Sequence, residues 1–175
     1  MKKRQKDKAR RARLVSEQTR ASMAATGRIM GARSMPIREC LINPDWKESG
    51  MARISLCRTQ PDGRLLLGNY LVDLQCLGLK DAFCKSDLSV SQYEGFRERI
   101  VEESDAEDCP VGLAHEIIYG AVDFARRFGF EPHPDFELSQ HVLENRDQVV
   151  LAGLVEFGRD GKPFYVSGPD DNVEW

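Results

Sequence analysis

Long apolar runs are missing from this chain. Nothing approaches the ~20 consecutive apolar residues of a membrane helix, and the N-terminus is charged where a secretory segment would be apolar. The expectation is a cytoplasmic protein with reduced thiols and no membrane partner. Paired metal ligands are missing too. The five cysteines are an odd number, and the chain holds neither a CxxC nor an HxxxH pair. Structural zinc sites bring ligands in close pairs, so Cys76, Cys84, Cys109 and His115 make at most a scattered set, and no metal ligand is assigned. Free thiols of this kind are ordinary core residues. There is no GxSxG elbow, and no GxGxxG or GxxxxGK[ST] loop to cradle phosphates. Aromatics are scarce, at 8% of residues, and none falls within the first 34.

Charge of both signs is plentiful, and it is separated. Residues 1–34 hold eleven Lys and Arg against two Asp and Glu, a net of +9. The whole chain carries −3, which leaves −12 on residues 35–175. The overall pI near 5.7 hides two opposite halves, and that asymmetry suggests an arm with its own partner. Lys2, Lys3, Arg4, Lys6, Lys8, Arg10, Arg11 and Arg13 form one dense basic block. Their residue types favour a helix, while like charges oppose it in isolation. The block is therefore expected to be disordered alone and ordered on a polyanion. Such an arm contacts phosphates without reading sequence. Without aromatics it stacks no bases.

The body of the chain is organised around residues 64–84. Residues 55–58 and 65–74 are strand-like runs joined by Thr59-Gln60-Pro61-Asp62-Gly63, a hairpin turn. The first run alternates and is half-buried. The second is apolar on both faces, as in a strand covered on both sides. Gly68 marks a bulge or a close approach within it. Asp73 ends this strand and is read first as a cap on the turn 75–81.

Around this centre, 37–42 reads as a short edge strand, Asn43-Pro44-Asp45 as a turn, and Trp46 as an anchor for that loop. Ser91-x-x-Glu94 is a capping-box pattern opening a helix over 92–103. The acidic run 102–108 reads as solvated. Pro110 starts the strongest helix, with Ala114, Ile117, Ile118, Ala121, Val122, Ala125 and Phe128 on one apolar face. Gly129 and Pro132 end it. Glu116 and Asp123 share its opposite face, expected to meet water. Asp135 caps a short helix to residue 143. Residues 149–157 read as a further strand, returning at 164–166 as a second hairpin. The tail 169–175 is acidic and loose unless Trp175 docks.

The expected fold is α+β: a mainly antiparallel sheet built from two β-hairpins, covered by two or three helices. The divisions are an arm over 1–35, one domain over 36–168 and the tail. Three functions are open. The first is a non-enzymatic factor bound to nucleic acid, ribosomal RNA included, with the arm on phosphates, no cofactor and a possible protein partner for the acidic domain. The second is a nuclease-like hydrolase in which Asp73, Asp81, Glu116 and Asp123 converge on Mg²⁺ or Mn²⁺ and Lys80 stabilises phosphate charge. The third is an interaction module whose arm contacts an acidic protein.

Overall fold

The structure is a computed structural model that describes the backbone of residues 2–165 and the side chains of residues 10–165. In chain order it contains helix α1 (Lys2–Met30), a 3₁₀ turn at Ala32–Ser34, strand β1 (Ile37–Ile42), a one-turn helix α2 (Trp46–Ser49), β2 (Met51–Thr59), β3 (Leu65–Asp73), β4 (Gly78–Leu88), α3 (Val90–Ser104), β5 (Glu107–Asp108), α4 (Val111–Arg126) and α5 (Phe136–Ser139). The five strands form one antiparallel sheet in the order β4-β3-β2-β1-β5. The fold is α+β, as the pattern of strands and helices predicts.

The β2–β3 hairpin falls where the turn chemistry puts it. Pairing runs from Met51↔Asp73 to Thr59↔Leu65, and the turn closes through Gln60 N to Arg64 O at 2.8 Å. Leu65, Leu66 and Leu67 are all buried, so both faces of β3 are covered in its first half, while Asn69 and Leu71 are only half-buried. Gly68 marks neither a bulge nor a close backbone approach; it makes room for a side chain, since a Cβ there would meet the Tyr70 hydroxyl at 2.6 Å. Trp46 is buried, and Asn43 ties its turn to β2 by accepting from Arg53 N at 2.7 Å.

The turn expected over 75–81 ends at Leu77, and strand β4 takes its second half. Leu71 pairs with Asp81 but Val72 pairs with Leu79, which leaves Lys80 as an extra, bulged residue. The buried residues then shift from odd (Leu79) to even (Ala82) positions, and the bulge breaks the period of two that marks a strand. Gly78 opens β4 with φ +70, and a Cβ on it would lie 2.7 Å from the Ala125 methyl. Only glycine allows the sheet to approach α4 so closely here.

A second correction concerns residues 149–157. They form no strand, and the segment carries only an isolated bridge between Arg159 and Lys162. The two hairpins of the sheet are β2–β3 and β3–β4, sharing β3. Of the expected return strand, Phe164 donates its N–H to Gln75 O at 2.9 Å. Val166 and the tail to Trp175 lie outside the described residues.

α4 covers one face of the sheet. Ala114, Ile117, Ile118, Ala121 and Val122 pack in the same core as Ile42, Ile54, Leu56, Leu66, Tyr70 and Val72. The side of α4 expected to meet water is buried in its first half, with His115, Glu116, Tyr119 and Gly120 covered, while Asp123 and Arg127 are exposed as expected. Phe128 falls beyond the helix and is 42% exposed. On the other face, Tyr93 and Phe96 of α3 pack on Cys57, Leu65, Leu67 and Leu88. The capping box of α3 is Ser89 with Gln92 rather than Ser91 with Glu94. Ser89 follows the buried end of β4 directly, so the earlier pair is the one at the helix start. Asp135 makes no side-chain cap on α5. Within the acidic run, residues 102–104 end α3, Glu107 and Asp108 pair with β1, and only Asp105 and Ala106 are loop.

Candidate nucleic-acid interface

The basic arm is the first part of a continuous 29-residue helix, α1. Its composition favours helix, but a like-charged helix also needs an anchor, since most helical stability comes from packing. The anchor is its C-terminal end. Ile29 and Ala32 are buried in the core. Arg28 pairs with Asp87 at the end of β4. Arg33 donates to the carbonyls of Leu143 at 3.1 Å and Gln140 at 3.3 Å. Arg58 fixes the platform beneath. It is 1% exposed and donates at 2.6 Å to three acceptors: Val142 O, Met35 O and the Glu144 carboxylate.

Residues 10–24 of α1 are exposed throughout. Arg13 pairs with Glu17 one turn along at 2.9 Å. Arg10, Arg11 and Arg20 have no carboxylate partner among the described residues. The side chains of Lys2, Lys3, Arg4, Lys6 and Lys8 lie outside those described, although their backbone is helical.

The four carboxylates of the hydrolase reading are each engaged separately. Asp73 caps the turn after β3, accepting from Gln75 N at 2.8 Å, Cys76 N at 3.1 Å and Leu77 N at 3.2 Å. Asp81, on β4, lies 3.8 Å from His133 Nε2. Asp123 is held by Arg146 at 2.8 Å. Glu116 is buried and accepts backbone N–H bonds from Ala152 at 3.2 Å, Leu154 at 2.5 Å and Val155 at 2.9 Å. Among the described residues no three His, Cys, Asp or Glu side chains gather as an ion would require. Lys80 is an exposed bulge residue on the edge strand, with no carboxylate partner among the described residues. The convergence on which that hydrolase depends is not formed.

The cysteines are all free. Burial pushes the Cys57 thiol up to about 12 and raises Cys76 and Cys84. Cys40 and Cys109 face each other across β1 and the residue after β5. Their mutual hydrogen bond raises Cys40, as does burial, and lowers Cys109. A thiol held protonated by burial is a poor nucleophile and a poor metal ligand. His115 is lowered by burial first and by Arg58. Its Nε2 accepts from Glu144 N at 3.2 Å, a structural role.

Two of these residues escape sequence reasoning. Arg58 binds acceptors 23, 84 and 86 positions away. Glu116 binds amides 36 to 39 positions away. No local spacing advertises either.

No protein-family model, no curated protein and no solved structure matches this chain.

Proposed function

We propose that this protein is a non-enzymatic nucleic-acid-associated factor, with ribosomal RNA among its candidate ligands, that holds phosphates along the exposed part of α1. The single supporting observation is that Arg10, Arg11 and Arg20 have no carboxylate partner among the described residues, on an exposed helix whose far end is packed into the domain. A domain of −12 would neutralise a +9 leader if the two folded together. In the structure the domain engages only Arg28 and Arg33 of the described arm cations. A rigid helix carrying free cations suits a polyanion, because phosphate contacts need charge and reach rather than complementary shape. The net-acidic domain is repelled by the same polyanion, so most of the phosphate contacts fall to the arm.

The test is fluorescence anisotropy with a labelled ribosomal-RNA hairpin, using the full chain. It is compared with a variant in which Lys2, Lys3, Arg4, Lys6, Lys8, Arg10, Arg11 and Arg13 are all Gln. The wild type binds and the variant loses about tenfold or more. Equal binding overturns the proposal, as does binding of an acidic protein in place of RNA. Incubation with Mg²⁺ or Mn²⁺ leaves the RNA intact, and cleavage would return the carboxylates to consideration.

A further inference from the structure

The arm lacks aromatics, but the domain exposes one at a cleft on the sheet face away from α4. The sheet face opposite α4 is only partly covered by α3. Beyond α3 it leaves an open cleft of about 430 Å³, within the ~300–1,000 Å³ of small-ligand sites. One wall is Phe83 of β4, which is 40% exposed. The other is Arg99 of α3, whose guanidinium sits 4.7 Å from the centre of the Phe96 ring and is held there as a flat cation. Lys85 reaches the same ring at 4.6 Å. On the floor, the Ser55 hydroxyl donates to the Asn69 side-chain oxygen. Among the described residues the Asn69 amide nitrogen donates to no protein acceptor.

We infer that this cleft holds an unpaired base of a single-stranded nucleic acid, an inference that rests on the arm reading above. An exposed aromatic ring and a flat guanidinium lining one cleft are two stacking surfaces for a flat π-system. An amide with free donors is suited to a base edge. Arg53, exposed at the rim, is placed for a flanking phosphate. Asp81 and Glu103 also line the cleft, so a bare polyphosphate is repelled and a neutral ring is preferred. Position links the cleft to the arm. Arg28 of α1 is held by Asp87, four residues along β4 from Phe83, a span of about 13 Å at ~3.3 Å per residue. α1 is rooted on the α4 face, and β4 is the edge strand of the sheet, so a strand leaving α1 reaches the slot by rounding that edge. A duplex cannot fill the slot, because its bases stay stacked within the helix.

The experiment uses the full chain with a fluorescein-labelled 16-nucleotide single-stranded RNA and with its duplex. Phe83→Ala removes an exposed ring and leaves the core intact, and Phe83→Tyr keeps a stacking face. The expected result is a loss of about fivefold or more for the single strand in Phe83→Ala. Duplex binding changes less than twofold, and Phe83→Tyr restores the affinity. A single strand bearing 4-thiouridine should crosslink within residues 81–99 as well as on α1. If Phe83→Ala binds the single strand like wild type while the eight-glutamine arm variant does not, the cleft inference is wrong and the arm reading stands. If the arm variant keeps full affinity but Phe83→Ala loses it, the slot is supported and the arm reading fails. Equal losses for single strand and duplex in Phe83→Ala overturn the slot. If wild type binds neither, both readings fall.

Discussion

Replacing Arg58 by Lys keeps the charge and removes the fork, and the cost can be worked from the structure. The guanidinium makes three bonds of 2.6 Å, two to main-chain carbonyls and one to Glu144, at 1% exposure. Hydrogen bonds involving a charged group contribute about 1.5–3 kcal/mol each. An ammonium is a point donor on a different stem and cannot span three diverging acceptors. It keeps one or two bonds, so Arg58→Lys costs about 2–4 kcal/mol. At ~2–4 °C per kcal/mol for a chain this long, the melting midpoint falls by roughly 4–16 °C. Arg58→Met takes the charge out of the interior yet strands the Val142 and Met35 carbonyls, so it falls in the same range. Glu144→Gln is the control. Its carboxylate is 37% exposed, water screens the pair, and the loss stays below about 1 kcal/mol. Urea unfolding followed by circular dichroism reads all three. A cost under about 1 kcal/mol for Arg58→Lys, at unchanged denaturant slope, would refute the claim that Arg58 joins residues 35 and 142–144 to the sheet.

Glu116→Gln leaves one amide oxygen for three N–H donors and turns its own NH₂ toward them. It costs about 1–3 kcal/mol, and hydrogen exchange at residues 152, 154 and 155 quickens while α4 stays protected. Unchanged exchange at those amides would mean the carboxylate is not what holds the segment. His115 sets an acid limit. Its folded pKa is lowered by burial, so below the unfolded value of about 6.5 only the unfolded chain takes the proton. Stability is full well above that pH and declines over the window from about pH 7 downward. His141, lowered by burial too, acts in the same direction. Urea midpoints of His115→Gln should fall less over that window than those of wild type, and parallel pH profiles would contradict the assignment.

Much of the fold is written locally. The β2–β3 turn, the Asp73 cap, the Pro110 start of α4 and the apolar face of that helix depend on neighbours a few residues apart, and sequence shows them. β4 escapes because the bulge at Lys80 shifts the phase of burial midway along the strand. Residues 149–157 mislead in the opposite way. Their apolar run resembles a strand, but the amides of 152, 154 and 155 are taken by Glu116 instead of a neighbouring strand. Leu154 and Val150 are left 80% and 92% exposed. The inward turn of Glu116 was hidden for the same reason, since a carboxylate on a helix is read as solvated unless its distant donors are known. The arm's charge is plain in the sequence. Its helical state is less so, because the anchor at residues 28–33 is a tertiary contact. The Phe83 cleft needs β4 to be in register before its walls come together.

The central claim is that cations on α1, unmatched by the domain beneath them, grip phosphate. The most direct measurement is the salt dependence of RNA affinity for the full chain and for the eight-glutamine arm variant. Eight phosphate contacts on a single strand would give a log–log slope of roughly −6, and half engagement roughly −3. The account predicts a wild-type slope within that range and a variant slope several units closer to zero. Equal slopes for the two proteins would contradict it.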